Sequence, residues 1–215
     1  MQIELLEHPD NADYLCGLAA ATCTRSGEPY KALKHSLKSG HESVLEHVSF
    51  TFRIRGISRA CLAQLTRHRL ASFSVQSQRY VRLEEPDMVI PESIQESEFL
   101  VEYQDLFSKA INLYQRMVDT GIPAEDARYT TTQAVPTTLI VTMNARELRH
   151  FFVLRCCNRA QWEIRELADK MLELCREKAP MIFADAGPGC VNGDGCKEAR
   201  PCGNPRTALA DTDAN

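Results

Sequence analysis

The chain has 215 residues, a formal net charge of -4 and a pI of about 5.9, so a general attraction to nucleic acid or to an anionic membrane is not expected. Hydrophobic residues make up 44% and charged residues 25%, which is ordinary for a globular protein with one core. No apolar run approaches the roughly 20 residues of a membrane helix, and the N-terminus lacks a signal sequence, so we expect a single-domain cytoplasmic protein with free cysteines.

The first half of the chain predicts two strands and three helices. The clearest element is residues 48–54, where apolar and polar residues alternate at every position, as in a half-buried strand. Gly56 is predicted to end this strand. The other elements are a strand at 2–6, a helix capped by Asp10 or Asn11, helices at 32–38 and 57–67, and a polar loop from 68 to 79.

The second half predicts a long amphipathic helix, because apolar residues step by three and four from Phe99 to Met117. A short helix at 123–128, a strand at 139–143 and a helix at 162–174 follow. Between this strand and this helix, Asn144 and Glu147 form a capping-box pattern, which predicts that another helix begins after Asn144. Residues 187–215 are rich in glycine and cysteine and predict a tail after a domain at 1–186. The irregular alternation predicts an α+β fold with helices packed on an antiparallel or mixed sheet.

One segment is unusually rich in arginine for an acidic chain. No acidic residue and no lysine occurs between Glu46 and Glu84, whereas the segment holds seven arginines: Arg53, Arg55, Arg59, Arg67, Arg69, Arg79 and Arg82. A guanidinium grips phosphate oxygens in pairs and also stacks on flat rings. The hydroxyls and amides of residues 72–78 could complete such a site. The segment therefore favours a phosphorylated heterocycle as ligand.

Simpler interpretations of this segment stay open. Arg53, Arg55, Arg59 and Arg82 could form a solvated strand edge and a basic surface. The segment could also bind RNA or DNA, although Phe73 and Tyr80 are few aromatics for base stacking. Arg67, His68 and Arg69 fit an extended phosphate-rich partner better, since three adjacent side chains face a compact partner poorly.

Arg67-His68-Arg69, followed by seven residues and Ser77-Gln78-Arg79, resembles the signature of flavin-dependent thymidylate synthases. Further segments similar to that family occur in the expected order between about residues 1 and 186: residues 41–47, 49–52, 123–128, 144–146, 154–155 and 160–164. Several ordered segments are more specific than one motif. The resemblance implies one catalytic domain that assembles as a homotetramer with shared active sites.

The resemblance also implies the roles of individual residues. Contacts with FAD are expected for Ser49, Arg67, His68, Arg69, Asn144, Ala145, Arg146 and His150, with His47 near the flavin. Contacts with dUMP are expected for Gln64, Leu65, Thr66, Arg67, Ser77, Gln78, Arg79, Arg128 and Arg155. Two positions depart from some members: Val75 stands where they carry glutamate, and Arg159 where they carry histidine. Local geometry is therefore expected to differ from those members at both positions.

The implied reaction converts dUMP to dTMP, with 5,10-methylenetetrahydrofolate as carbon donor and NADPH as reductant through FAD. Arg155 is the expected catalytic residue. A guanidinium beside the N3 edge of uracil favours the ionised ring and pushes electron density toward C5. The alternative for Arg155 is a helix-surface ion pair, for example with Glu163. Another possibility keeps the flavin but changes the pyrimidine substrate.

Covalent catalysis and metal binding are weaker hypotheses. Ser77 lacks an identifiable base, so a hydrogen-bonding role is preferred. Nothing in the sequence marks Cys156 or Cys157 as activated. Three cysteines of the tail recur every six residues, which is wider than usual for structural zinc, so no metal is predicted. These three cysteines are Cys190, Cys196 and Cys202. Three other interpretations of the tail stay open: a metal-linked scaffold, a redox role and an intersubunit role.

Overall fold

A computed structural model describes residues 1–84, 86–192 and 195–206. Four strands form one antiparallel sheet in the order β1-β2-β4-β3: β1 Gln2–Glu7, β2 Ser49–Ser58, β3 Ala71–Val75 and β4 Pro136–Asn144. This sheet, together with the helices of the chain, confirms the α+β prediction. Within the described residues, no helix is long and apolar enough to cross a membrane.

Nine α-helices lie in the described part of the chain. Their bounds are α1 Ala12–Thr24, α2 Pro29–Lys38, α3 Arg59–Leu65, α4 Glu92–Gln95, α5 Leu100–Asp119, α6 Ala124–Ala127, α7 Ala145–Arg155, α8 Trp162–Lys178 and α9 Pro180–Phe183. Two 3₁₀ helices, Glu42–His47 and Arg128–Thr130, complete the described elements. The predicted long helix and the helix before Pro180 are confirmed by α5 and α8.

The residues cluster into two compact units. Unit 1 comprises Met1–Gln2, Ile54–Arg67 and Phe73–Ile140, and unit 2 comprises Ile3–Arg53, His68–Ser72 and the described residues from Val141 on. This division does not test the predicted boundary between residues 186 and 187. Residues 207–215 of the predicted tail lie outside the described residues.

Unit 2 has an aromatic core. Phe50 of β2, Phe152 of α7 and Phe183 of α9 are fully buried. Phe183 meets Phe50 and Phe152 edge-on, with ring centroids 5.5 and 5.9 Å apart. Such edge-to-face pairs each stabilise by about 0.5–1.5 kcal/mol beyond the area they bury. These contacts join β2 and α9 to α7, the helix that carries several predicted site residues.

Unit 1 has a separate apolar cluster. Phe107 and Ile111 of α5 pack with Ala134 and Val135, the residues just before β4. The buried Tyr114 hydroxyl accepts a hydrogen bond from the Leu83 amide at 3.3 Å. The apolar stripe predicted for α5 therefore serves as core, and it supports the loop that precedes β4.

Three sequence predictions are wrong in detail. Strand β2 continues through Gly56, which has φ +77° and bends the strand without ending it. Ile57 and Ser58 therefore belong to the strand, and α3 begins only at Arg59. Residues 71–75 form β3 and not a loop. Their exposure alternates with period two, as do the apolar and polar residues of this five-residue stretch, which was assigned to the polar loop around it.

Candidate functional site

Unit 1 contains an open cavity of about 550 Å³ beside α3. Its walls are Arg59, Leu62, Ala63, Thr66, Gln78, Arg128, Tyr129, Thr131, Thr132 and Gln133. The amide of Arg59 donates to Val135 O at 3.1 Å, and the amide of Ala60 to Gln133 O at 3.4 Å. These bonds join the start of α3 to the loop before β4. The cavity size lies within the roughly 300–1,000 Å³ of small-molecule sites.

Two buried donors at this cavity lack a hydrogen-bond partner among the described residues: Arg59 Nη1 and Gln78 Nε2. A buried donor without an acceptor costs about 1–3 kcal/mol, and more when it is charged. Burial, followed by repulsion from Arg128, lowers the pKa of Arg59. Two guanidiniums and an amide at one cavity thus favour an anionic ligand that also accepts hydrogen bonds. Arg59 is half-buried with its Nη1 fully buried, which the interpretation of Arg59 as part of a solvated edge did not predict.

The structure brings part of the predicted nucleotide set to this cavity. Thr66, Gln78 and Arg128 line it, while Gln64, Leu65, Arg67, Ser77 and Arg79 belong to unit 1 but are not among its walls. Leu65 is fully buried, so only its backbone can meet a ligand. Arg79 is exposed, and its Nε donates to Glu125 Oε2 at 2.6 Å. Arg155 belongs to unit 2.

Most residues that line the cavity were not predicted as site residues from the sequence. Arg59 stood in the acid-free arginine segment, which was the available signal, but its burial follows from tertiary packing. Thr131, Thr132 and Gln133 lie between α6 and β4, and no motif identified them. Two other arginines match the surface interpretation, since Arg53 pairs with Glu4 and Arg82 with Asp119 in exposed ion pairs.

In unit 2, the predicted flavin residue His68 lies in a buried hydrogen-bonded chain. Its Nδ1 is 3.2 Å from Glu147 Oε1, and its Nε2 accepts from Arg155 Nε at 3.0 Å. Asn144 begins α7 as N-cap, with Oδ1 accepting from the Glu147 amide at 2.9 Å. The Asn144 half of the predicted capping box is confirmed, whereas the Glu147 carboxylate contacts His68. The cap fixes the backbone of Glu147.

The other predicted flavin residues of unit 2 present exposed donors. Arg69, Arg146 and His150 are exposed, and Arg146 pairs with Glu46 at the surface. Arg146 and His150 are four residues apart on α7 and therefore share a face. Ser49 is exposed at the start of β2, whereas Ala145 is buried and its amide donates to Val48 O. Two guanidiniums, an imidazole and a hydroxyl fit the diphosphate and polar edges of FAD. Arg67, the remaining predicted flavin residue, is exposed in unit 1.

His68 predicts a pH effect on stability. Burial, with smaller contributions from Arg155 and His150, lowers its pKa, while Glu147 opposes the shift. An unfolded histidine takes up its proton near pH 6.5, so below about that value the unfolded chain binds more protons than the native protein. The free energy of unfolding should therefore fall as the pH drops from about 7.5 to 5.5. Urea titrations should find a smaller fall in His68→Gln, and an unchanged fall in that variant would contradict the buried neutral histidine.

The buried Cys156 is a poor nucleophile. Burial and the neighbouring Asp169 raise the pKa of the Cys156 thiol, which opposes formation of a thiolate. Cys157 is half-buried. Of the tail cysteines, Cys196 and Cys202 are exposed. Across the described ranges, no three histidine, cysteine or acidic side chains cluster closely enough to hold a metal ion.

The described part of the tail contacts unit 2. Arg206 Nη1 donates to Cys156 O and to Asp169 Oδ1, both at 2.6 Å. Arg159, one of the two positions that depart from the family pattern, donates to Arg200 O at 2.8 Å. Val75, the other position, is half-buried at the end of β3. The contacts of Arg159 thus involve the tail.

Comparison with known proteins identifies the family of the chain. Residues 4–181 match the family described as "Thymidylate synthase complementing protein". Proteins named flavin-dependent thymidylate synthase are 45% identical in Geobacter sulfurreducens (94% of each chain), 49% in Pyrococcus furiosus (78% of this chain, 72% of the relative) and 39% in Clostridium tetani (94% and 93%). The resemblance predicted from the signature residues is confirmed, and the chain belongs to the flavin-dependent thymidylate synthase family.

Proposed function

We propose that the protein converts dUMP to dTMP, with 5,10-methylenetetrahydrofolate as carbon donor, NADPH as reductant and FAD as bound cofactor. Family membership supports thymidylate synthesis with a flavin. The observation that carries the proposal to this chain is the cavity of unit 1, where buried Arg59 Nη1 and Gln78 Nε2 lack partners among the described residues. A nucleotide phosphate supplies both the charge and the acceptors that these donors need.

The phosphate of dUMP is assigned to Arg59, Arg128 and Gln78. Burial and, second, repulsion from Arg128 lower the pKa of Arg59, and a phosphate dianion between the two guanidiniums removes this repulsion. Arg128 Nε already donates to Glu125 O at 3.1 Å, which leaves its terminal nitrogens for the ligand. The phosphate is thereby anchored while the uracil extends away from it.

Arg155 is assigned to the uracil ring. Its guanidinium stabilises negative charge that develops along the N3 edge, and this makes C5 a better nucleophile. Arg155 Nε already donates its hydrogen to His68. A guanidinium is planar and forked, which suits a carbonyl edge. Arg155 therefore acts electrostatically and does not transfer a proton.

FAD is assigned to Ser49, Arg67, His68, Arg69, Asn144, Ala145, Arg146 and His150. Because both ring nitrogens of His68 are bonded to Glu147 and Arg155, its direct contact is assigned to the backbone. When bound, the flavin supplies the electron transfer that the carbon donor and dUMP require. In this assignment Arg69, Arg146 and His150 neutralise the diphosphate, and the Ala145 backbone stays with β2. A chain of 215 residues has little room for FAD, dUMP and the folate together. The proposal therefore includes a homotetramer in which neighbouring subunits share each site.

A visible absorption spectrum tests this proposal. The purified protein should be yellow, and anaerobic NADPH should bleach the flavin bands, with a different bleaching rate when dUMP is present. A colourless protein that takes up no added FAD would reject the proposed cofactor. A flavoprotein whose bleaching ignores dUMP but responds to another pyrimidine nucleotide would favour a different substrate.

A further inference from the structure

The chain Glu147–His68–Arg155 fixes the tautomer of the histidine. An arginine Nε carries hydrogen at all physiological pH values, so it can only donate. At the 3.0 Å contact with Arg155 Nε, His68 Nε2 must therefore be the unprotonated acceptor. The ring hydrogen of neutral His68 then sits on Nδ1 and is donated to Glu147 Oε1 at 3.2 Å.

Packing holds this chain in one arrangement. His68 and Glu147 are each 5% exposed. Phe151 meets the His68 ring edge-on, with centroids 4.9 Å apart and planes at 83°. The Asn144 cap fixes the backbone of Glu147 at the start of α7. A ring held by both nitrogens and by an aromatic neighbour has little freedom to rotate.

The three groups are also matched in charge. Glu147 and Arg155 carry opposite charges at the two ends, and neutral His68 lies between them. A protonated His68 would lose the lone pair that accepts from Arg155 and would repel its guanidinium and, when charged, His150. The link between Glu147 and Arg155 is therefore intact only with the Nδ1-protonated neutral ring.

We propose that Glu147 is a positioning residue, which acts through His68 to hold the Arg155 guanidinium in its working orientation. The inference rests on the proposed role of Arg155 in thymidylate synthesis. It assigns a function to a buried carboxylate that neither the signature motif nor the predicted ligand contacts include. Glu147 itself need not touch nucleotide or flavin.

Nitrogen-15 NMR of histidine-labelled protein tests the first half of the proposal without turnover. Wild-type protein and Glu147→Gln should each have His68 as a single Nδ1–H tautomer, because the glutamine oxygen still accepts. Without the Glu147 acceptor the ring can turn away from Arg155 Nε, the donor that keeps hydrogen off Nε2. Glu147→Ala should therefore give a mixture of tautomers, whereas a ring that stays against Arg155 would remain the single Nδ1–H form. Glu166→Gln removes an exposed carboxylate of α8 that pairs with Lys170, and this control should match wild type. A single Nδ1–H tautomer in Glu147→Ala would overturn the inference.

Kinetics tests the second half. For dTMP formation, kcat in Glu147→Ala should fall about 10- to 100-fold, the effect expected when a charge-assisted hydrogen bond is lost. The KM for dUMP should change less than about twofold, and Glu147→Gln should recover most of kcat. If the alanine variant does not fold, Glu147→Asp replaces it, since its shorter carboxylate withdraws from Nδ1.

The outcomes separate this inference from the proposed function. Equal loss of kcat in Glu147→Gln and Glu147→Ala, or wild-type kcat in Glu147→Asp, would overturn the positioning role. A wild-type protein that forms no dTMP would reject the proposed function, and with it the role in that reaction. In that case the histidine spectra would still decide whether Glu147 sets the tautomer of His68.

Discussion

Arg155→Ala protein is expected to purify with its flavin bound and to form dTMP about 10²- to 10³-fold more slowly than wild type, the usual effect of removing a donor aimed at developing charge. The flavin should remain because its proposed phosphate contacts come from other residues. The fall should appear in kcat, since the dUMP phosphate keeps Arg59 and Arg128. Quantification of dTMP by chromatography, together with the flavin-to-protein absorbance ratio, measures both effects.

Two variants sharpen this prediction. Arg155→Lys keeps the charge but loses the fork, so it should recover less than about a tenth of the activity. Arg159→Ala is the matched control, because Arg159 is also an arginine of unit 2 but contacts Glu198 and Arg200 of the tail. Wild-type turnover in Arg155→Ala, or an equal loss in Arg159→Ala, would remove the catalytic assignment.

Arg59→Ala should weaken dUMP binding about 10- to 100-fold, which corresponds to the roughly 1.5–3 kcal/mol of a hydrogen bond to a charged group. The same substitution removes a buried donor that has no partner among the described residues, so it should leave stability unchanged or raise it. Calorimetric titration with dUMP and thermal melts without ligand measure these opposite effects on one protein.

The control for Arg59 is Arg82→Ala, which removes an exposed arginine of unit 1 that pairs with Asp119. Deoxyuridine separates the phosphate from the rest of the nucleotide. Wild-type protein should prefer dUMP to deoxyuridine strongly, and Arg59→Ala should lose much of that preference. Unchanged preference in Arg59→Ala would place the phosphate elsewhere.

Periodicity predicted the strongly patterned elements of the fold. The strand at 48–54 and the helix at 99–117 alternate or step without interruption, and both exist. Strand β3 was missed although Ala71, Phe73 and Val75 alternate with two serines, because this short stretch lies within a longer run of small and polar residues that indicated a loop. The end predicted at Gly56 was wrong because a positive φ can bend a strand as readily as it ends one.

The expected residues of the candidate site came mainly from the family signature and less from physical patterns in the sequence. The signature identified His68, whose Nε2 accepts from Arg155 across 87 sequence positions, but no local pattern revealed Glu147 as the third member. Arg59 was visible only as one arginine among seven. Its burial and its lack of a partner arise from packing of α3 against the loop before β4, which a sequence window does not contain.

The central claim is the formation of dTMP from dUMP, and isotope transfer tests it most directly. Protein incubated with dUMP, NADPH and 5,10-methylenetetrahydrofolate carrying ¹³C in its methylene group should yield dTMP with the label in the methyl group, as measured by mass spectrometry. Oxidation of NADPH without labelled dTMP, under conditions where the flavin is fully bound, would contradict the account.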